Sequence, residues 1–339
     1  MKRLCLLLVA LVSVFSFTLF GCGDNNKDEL TKIRLNEVTH SIFYAPLYVA
    51  INNGYFKDDG IEIELTNGGG ADKVMTALLS NDADIGLMGP EATIYVTEGG
   101  AKDNPVVFGQ LTKRDGSFIV AKHSYTNFTL DNLKGKEIIG GRKGGVPAMT
   151  LEYAIKQAGL NIGTGANAVN LRTDVAFNLT ASVFDSTNAD FCTLFEPTAS
   201  ELCANKGYSI VASVGTLSGE VPYTAFTAKK GFLQENERLA EKFLRAVYRG
   251  YKFLLKASVD EIKTSLKPSF SGISDESIVK SIQSYIEVDA WVDNPAMTKQ
   301  AFDRLQDIII SAGELDKRVE FDSVVDTKIA NKVMKYFNW

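Results

Sequence analysis

Histidine is nearly missing from this chain: His40 and His123 are the only two in 339 residues. Neither neighbours another ligand at metal spacing, so no metal site is expected and no Ser-His-Asp hydrolase order can be built. Cysteine is scarce too, four in all and none of them clustered. An excess of basic charge is lacking, with 36 Lys and Arg against 41 Asp and Glu. That argues against a nucleic-acid binder, which would carry a basic face. The G-x-x-x-x-G-K-[ST] loop that cradles phosphates is absent. Past residue 22 no apolar run is long enough to span a bilayer. No short-period repeat occurs, and no low-complexity segment follows residue 31.

What remains is the composition of an ordinary globular protein, 45% hydrophobic and 23% charged, long enough for about two domains. The first 21 residues read as a processing segment. Lys2 and Arg3 precede an apolar stretch over 4–20, too short and wrongly placed for a bundle helix. It ends Leu19-Phe20-Gly21-Cys22, which resembles the bacterial lipoprotein box, with Cys22 lipidated as the mature N-terminus. Residues 22–31 are polar and suit a tether. Losing residues 1–21 removes Lys2 and Arg3 and leaves 34 basic against 41 acidic side chains, a net charge of −7. Cys192 and Cys203 then remain. Outside the cytoplasm they could pair, or they could be two buried thiols, and spacing alone does not choose.

The pattern from residue 39 to 91 organises the rest. A strand over 32–39 leads to a loop with His40, Phe43 and Tyr44. A helix from about 46 stops at Asn53-Gly54. A strand over 61–65 gives way to Gly68-Gly69-Gly70. A further helix leads to a strand over 84–88 that ends in Gly89-Pro90-Glu91. This is βαβαβ, and open α/β sheets bind ligands beyond the carboxyl ends of such strands.

Strands follow over 105–111 and 117–121. A second βα series then runs from 130: a short turn, a strand over 137–140, Gly141-Arg142-Lys143-Gly144-Gly145 and a helix to about 157. A strand over 168–171 precedes a helix over 175–181 with Asp174 as N-cap. A strand over 189–194 ends in Phe195-Glu196-Pro197, with a helix after it up to Gly207. After a strand over 208–214, residues 220–228 read as a return crossing. Helices are expected over 236–255, 274–285, 296–312 and 326–336, the first with Leu239, Phe243, Val247, Tyr248, Tyr251 and Leu255 on one face. The expected fold is therefore α/β and two-lobed. One lobe takes 32–117 with 225–339, the other 118–224, and two crossings form a hinge.

The run H-S-I-F-Y-A-P-L-Y-V-A-I-N-N-G-Y-F-K-D-D-G-I-E-I-E-L, with A-D-I-G-L-M-G-P at 83–90 and F-E-P at 195–197, resembles solute-binding proteins of ABC importers. The branch is the one holding the nitrate, sulfonate, taurine and thiamine-pyrimidine-precursor binders. The likeness is strong over 36–100 and weak after 230. It implies a type II periplasmic-binding-protein fold, anchored by lipid on the outer side of the cell membrane. Such a protein would work as a monomer, without a cofactor, and pass a small solute to a permease driven by its ATPase.

Candidate ligand contacts follow from the loops. His40, Phe43 and Tyr44 could sandwich a flat ring or bond its edge; Phe43 and Tyr44 could equally be core. Gly69 would allow close backbone approach. Gly89, Pro90 and Glu91 open a helix whose N–H groups suit an acceptor, and Glu91 could instead be a plain first-turn acid. Arg142 with Gly144 and Gly145 could pair an anion, or lie solvated on a turn. Glu196 could accept two hydrogen bonds from an amine, or serve as a helix-start acid. Tyr223 could close over the ligand or pack the hinge. Carboxylates and aromatics in this set favour an amino-heterocycle such as a thiamine-type pyrimidine precursor; a sulfonate, taurine or nitrate ligand is the alternative. A pyrimidine-synthase-like enzyme and a ligand sensor are the readings from other classes.

Overall fold

The computed structural model describes residues 30–100 and 103–337. The processing segment over 1–21, Cys22 and most of the tether lie outside the described residues. Ten strands form two sheets of five. The first sheet uses β1 (Thr31–Glu37), β2 (Ile61–Asn67), β3 (Ile85–Met88) and β4 (Pro105–Thr112). The second uses β5 (Ser117–Ala121), β6 (Glu137–Ile139), β7 (Asn170–Arg172), β8 (Phe191–Phe195) and β9 (Ser209–Ser213). β10 (Thr224–Lys229) returns to the first sheet. The orders are β2-β1-β3-β10-β4 and β7-β6-β8-β5-β9.

The two sheets share a design. β1 runs parallel to β2 and β3, and β6 runs parallel to β7 and β8. Each sheet has one strand inserted against that direction, β10 in the first and β5 in the second. Each of these comes just after the chain crosses between sheets, over 113–116 and 219–223. β3, β4, β5 and β8 are buried along their whole length. Strands covered on both faces have this continuous apolar character, and β4 has it although it lies at the end of its sheet.

Helices cover the sheets. The tightest packing joins Ala45–Asn52 to the long helix Glu237–Leu254. The latter buries Phe243, Leu244, Val247, Tyr248, Tyr251 and Leu254, while its outer edge pairs Arg249 with Asp58, 2.8 Å apart. The helix ends one residue early for the expected face: Leu254 is buried and Leu255 is 56% exposed. At the crossing of the two helices Gly250 has no room for a side chain, since a Cβ would collide with the Pro46 carbonyl. Backbone cannot yield as a rotamer can. Gly250→Ala is therefore expected to cost about 3 kcal/mol, read as a lower midpoint in urea at unchanged slope. An unchanged midpoint would refute this close approach.

One expectation from the sequence is corrected, and the alternative left open at Cys192 and Cys203 is decided. No helix runs over 175–181. A 3₁₀ turn at Phe177–Leu179 leads into the helix Thr180–Ser186. The Asp174 carboxylate is turned to the Arg172 guanidinium, at 3.0 Å, in place of capping. Cys192 and Cys203 are both free thiols. Short helices not anticipated include Val214–Ser218 and Val259–Leu266.

Candidate functional site

The carboxyl ends of β1, β3, β6 and β8 face one another across the two crossings, and their loops enclose a small cavity of about 50 Å³. From the first lobe come Val38, Tyr44, Gly70, Ala71, Gly89 and Glu91. The second contributes Arg142, Gly145, Val146, Pro147, Phe177 and Phe195. Tyr223 and Thr224, on the return crossing, complete the wall. A neighbouring cavity of about 210 Å³ shares Pro147, Phe177 and Phe195 with the first. Hydroxyl and amide side chains line the larger one, among them Thr39, Asn178, Thr180 and Thr193, together with His40 and Glu196.

The lobes meet closely around this site. The Tyr95 hydroxyl donates to the Gly144 carbonyl at 3.0 Å. The Val146 N–H, at the start of the helix Val146–Gln157, donates to Glu91 Oε1 at 3.4 Å. Arg142 pairs with Asp72, on the helix Ala71–Leu79, at 3.2 Å. The Ser41 hydroxyl donates to the Glu196 carbonyl at 2.6 Å. The cavity has room for only a few water molecules.

Glu91 is the most unusual group here. It begins the helix Glu91–Glu98 and is 3% exposed. Its Oε2 has no hydrogen-bond partner. The carboxylate lies over Gly89, where a Cβ would occupy the same space. Burial pushes the Glu91 carboxyl up to about 7, against the pull of the Val146 N–H and the more distant Arg142. The Tyr223 hydroxyl is buried too, and it interacts with the Asp115 carboxyl. Behind it Asp115 accepts from the Ser117 N–H at 2.7 Å and from the Thr150 hydroxyl. Burial raises Asp115 to about 6, opposed by those same donors.

The remaining sequence candidates fall in three groups. Tyr44, Gly89, Glu91, Arg142, Gly145 and Tyr223 line the smaller cavity. His40 and Glu196 line the larger, but their polar atoms are already engaged. His40 bonds Glu37 through Nδ1 and the Ser269 carbonyl through Nε2, both at 2.8 Å. The Glu37 hydrogen bond raises its pKa, as does the Ser269 carbonyl, against the effect of burial. The Glu196 carboxylate accepts from Ser200 N–H and Oγ at 2.9 and 2.8 Å, as a helix-start acid does. Phe43, Gly69, Pro90 and Gly144 line neither cavity. Phe43 is fully buried among Tyr44, Phe195, Tyr223 and Tyr285. Gly69 donates to the Asn67 side chain, and Gly70 next to it faces the cavity. Among the described residues no group of three or more His, Cys, Asp or Glu could hold a metal ion. No helix of the described residues is long and apolar enough to cross a membrane.

The sequence reading passed over Phe177, Phe195, Pro147 and Asp115. Phe195 packs across the lobes against Phe43, and Phe177 packs against Phe195, relations that no local pattern reveals. Asp115, in Arg114-Asp115-Gly116-Ser117, looks like an ordinary turn residue.

The family model described as NMT1/THI5 like matches residues 42–259. The chain belongs to this family. It is 40% identical over 318 residues to YtlA of Bacillus subtilis (strain 168), which carries the name of a binding protein; the match covers 94% of this chain and 93% of that one. Among solved structures, the periplasmic nitrate-binding protein NrtA from Synechocystis PCC 6803 superposes with a TM-score of 0.73 at 16% identity, covering 91% of this chain and 90% of that one. The alkanesulfonate-binding protein SsuA from Xanthomonas axonopodis pv. citri, bound to MOPS, gives 0.69 at 16% identity, with 88% and 99% covered. These likenesses establish the two-lobed periplasmic-binding-protein fold for this NMT1/THI5-like chain.

Proposed function

We propose that this protein is the solute-binding component of an ABC importer on the extracytoplasmic face of the cell membrane. Lipid on Cys22 anchors it there, and the tether over 22–31 keeps it at high effective concentration near its permease and ATPase. It acts as a monomer. Its lobes, 32–117 with 225–339 and 118–224, close over one small molecule by bending at the two crossings. The solute is a flat amino-heterocycle, of which a thiamine-type pyrimidine precursor is the best example.

One observation carries the choice of ligand. The smaller cavity joins aromatic rings to a carboxylate with a free oxygen, while its only cation, Arg142, is engaged by Asp72. A sulfonate or nitrate would need an unengaged cation or a cluster of donors, and the hydroxyls of Thr39, Thr180 and Thr193 line the neighbouring cavity instead of the one that holds Glu91. Rings with an open acceptor suit a planar, N–H-bearing ligand.

Thermal unfolding after removal of carried-over ligand tests this, against thiamine pyrimidines, other nucleobases, taurine, alkanesulfonates, nitrate and bicarbonate. A true ligand at a hundredfold excess over its Kd should add about 2.7 kcal/mol of stability. Stabilisation by an aminopyrimidine is the expected result. Stabilisation by a sulfonate or nitrate alone would refute the heterocycle and retain the transport role. A response to none of them would count against a receptor for this class of solute.

A further inference from the structure

We propose that Glu91 reads the ligand through its unpartnered oxygen, and that the ligand meets it with a cationic, N–H-bearing head such as an amidinium or a protonated amino-heterocycle. The inference rests on the cleft being a solute site and narrows what that solute must be.

Three features point the same way. Glu91 Oε2 lacks a partner although the residue is 3% exposed, and it lines the smaller cavity beside Tyr223, whose hydroxyl interacts with Asp115 behind it. Buried polar atoms of this kind ordinarily find a partner. In its ionised form, above about pH 7, the Glu91 oxygen only accepts hydrogen bonds, so in that form its missing partner is a donor. The bare Cα of Gly89 leaves the space that the Glu91 carboxylate occupies. No countercharge is close enough to bond Oε2. Arg142 is held by Asp72. The other titratable groups that feel Glu91 are the phenols of Tyr44, Tyr95 and Tyr223, which are neutral. Asp115 behind Tyr223 and Glu314 beside Tyr95 add only negative charge.

Size fits the same reading. The smaller cavity admits a head group, and the larger one beyond Phe177 and Phe195 has room for the body of the ligand. Burial keeps the Glu91 carboxyl protonated below about pH 7. A cation bound against it requires the carboxylate, so loading in acid releases one proton from Glu91 to solvent. Affinity for a cation should therefore fall about tenfold from pH 8 to pH 6.

Calorimetric titration of the purified full-length protein provides the test, with three flat probes: benzamidine, a cation throughout this range; benzamide, its neutral relative; and benzenesulfonate, an anion. Benzamidine is expected to bind more tightly than the other two, about tenfold more weakly at pH 6 than at pH 8. Glu91→Gln should erase both the preference and the pH dependence. The wild-type pH profile stands as evidence even if that variant fails to fold. Benzenesulfonate binding equally to both forms would overturn the assignment and leave the cleft a solute site. Benzamidine that fails to bind, or binds without pH dependence, also overturns it; the wider solute panel decides the receptor reading separately.

Discussion

Replacing Phe43 with alanine lowers stability by about 4 kcal/mol, within the range for truncating a fully buried phenylalanine. The ring has no exposed surface. Its centroid lies 5.0 to 5.8 Å from those of Tyr44, Phe195, Tyr223 and Tyr285. These belong to both lobes and to the return crossing. Gly116, on the other crossing, allows the ring to lie flat against the backbone, since a Cβ there would come within 2.6 Å of it. The backbone is fixed as well, with Trp291 Nε1 donating to the Phe43 carbonyl at 2.8 Å. Truncation thus leaves a void where little can collapse. Urea unfolding of wild type, Phe43→Leu and Phe43→Ala should give a graded loss, with leucine the milder. A ring that served the ligand would behave otherwise: stability would hold and affinity would fall. That outcome would return Phe43 to the binding site.

Phe43 also marks where sequence reasoning reaches its end. The β-α alternation over 32–111 was legible because β1 and β2 alternate apolar and polar residues while β3 and β4 are largely apolar runs, and the Gly, Asn and Asp residues at strand ends stood out at once. Tyr44 and Phe43 are neighbours in a 3₁₀ turn, and which of them meets the cavity depends on where that turn lies against β8 and the crossings. Gly70 rather than Gly69 faces the cavity for a similar reason: Gly69 takes a left-handed turn, φ +71°, and points away. The expected helix over 175–181 failed through a local competition, because Asp174 has Arg172 within reach and pairs with it. One miss was avoidable. Ser258 and Glu261 form a capping box at the start of Val259–Leu266, and that spacing is visible in the chain itself. Glu91 was named with a competing reading as a first-turn acid; it does stand in the first turn of its helix, and its burial beside Val146, Arg142 and Tyr223 was not legible in the chain.

Glu91→Gln raises the stability of the empty protein by about 2 kcal/mol above pH 7, changes it little near pH 5 and lowers it by about 1 kcal/mol below pH 4. The sign follows from where the proton resides. The ordinary carboxyl value is 4.5, and in the folded chain burial lifts it to about 7. Between these two values the folded protein keeps a proton that the unfolded chain has lost. Stability therefore falls as pH rises from 4.5 towards 7 and then levels off. The full penalty is roughly 3 kcal/mol. Glutamine has no proton to lose and escapes it, less about 1 kcal/mol for burying amide donors that find no complete set of partners. Asp115 titrates in the same direction with its value raised from 3.8 to about 6, and it remains in both proteins as an internal reference. Urea unfolding at pH 5 and pH 8 measures the difference directly. An equal gain at both would mean that Glu91 is not a buried, uncompensated carboxylate. A gain confined to the higher pH would mean that the empty site carries an electrostatic strain, which a cationic head group would relieve on binding.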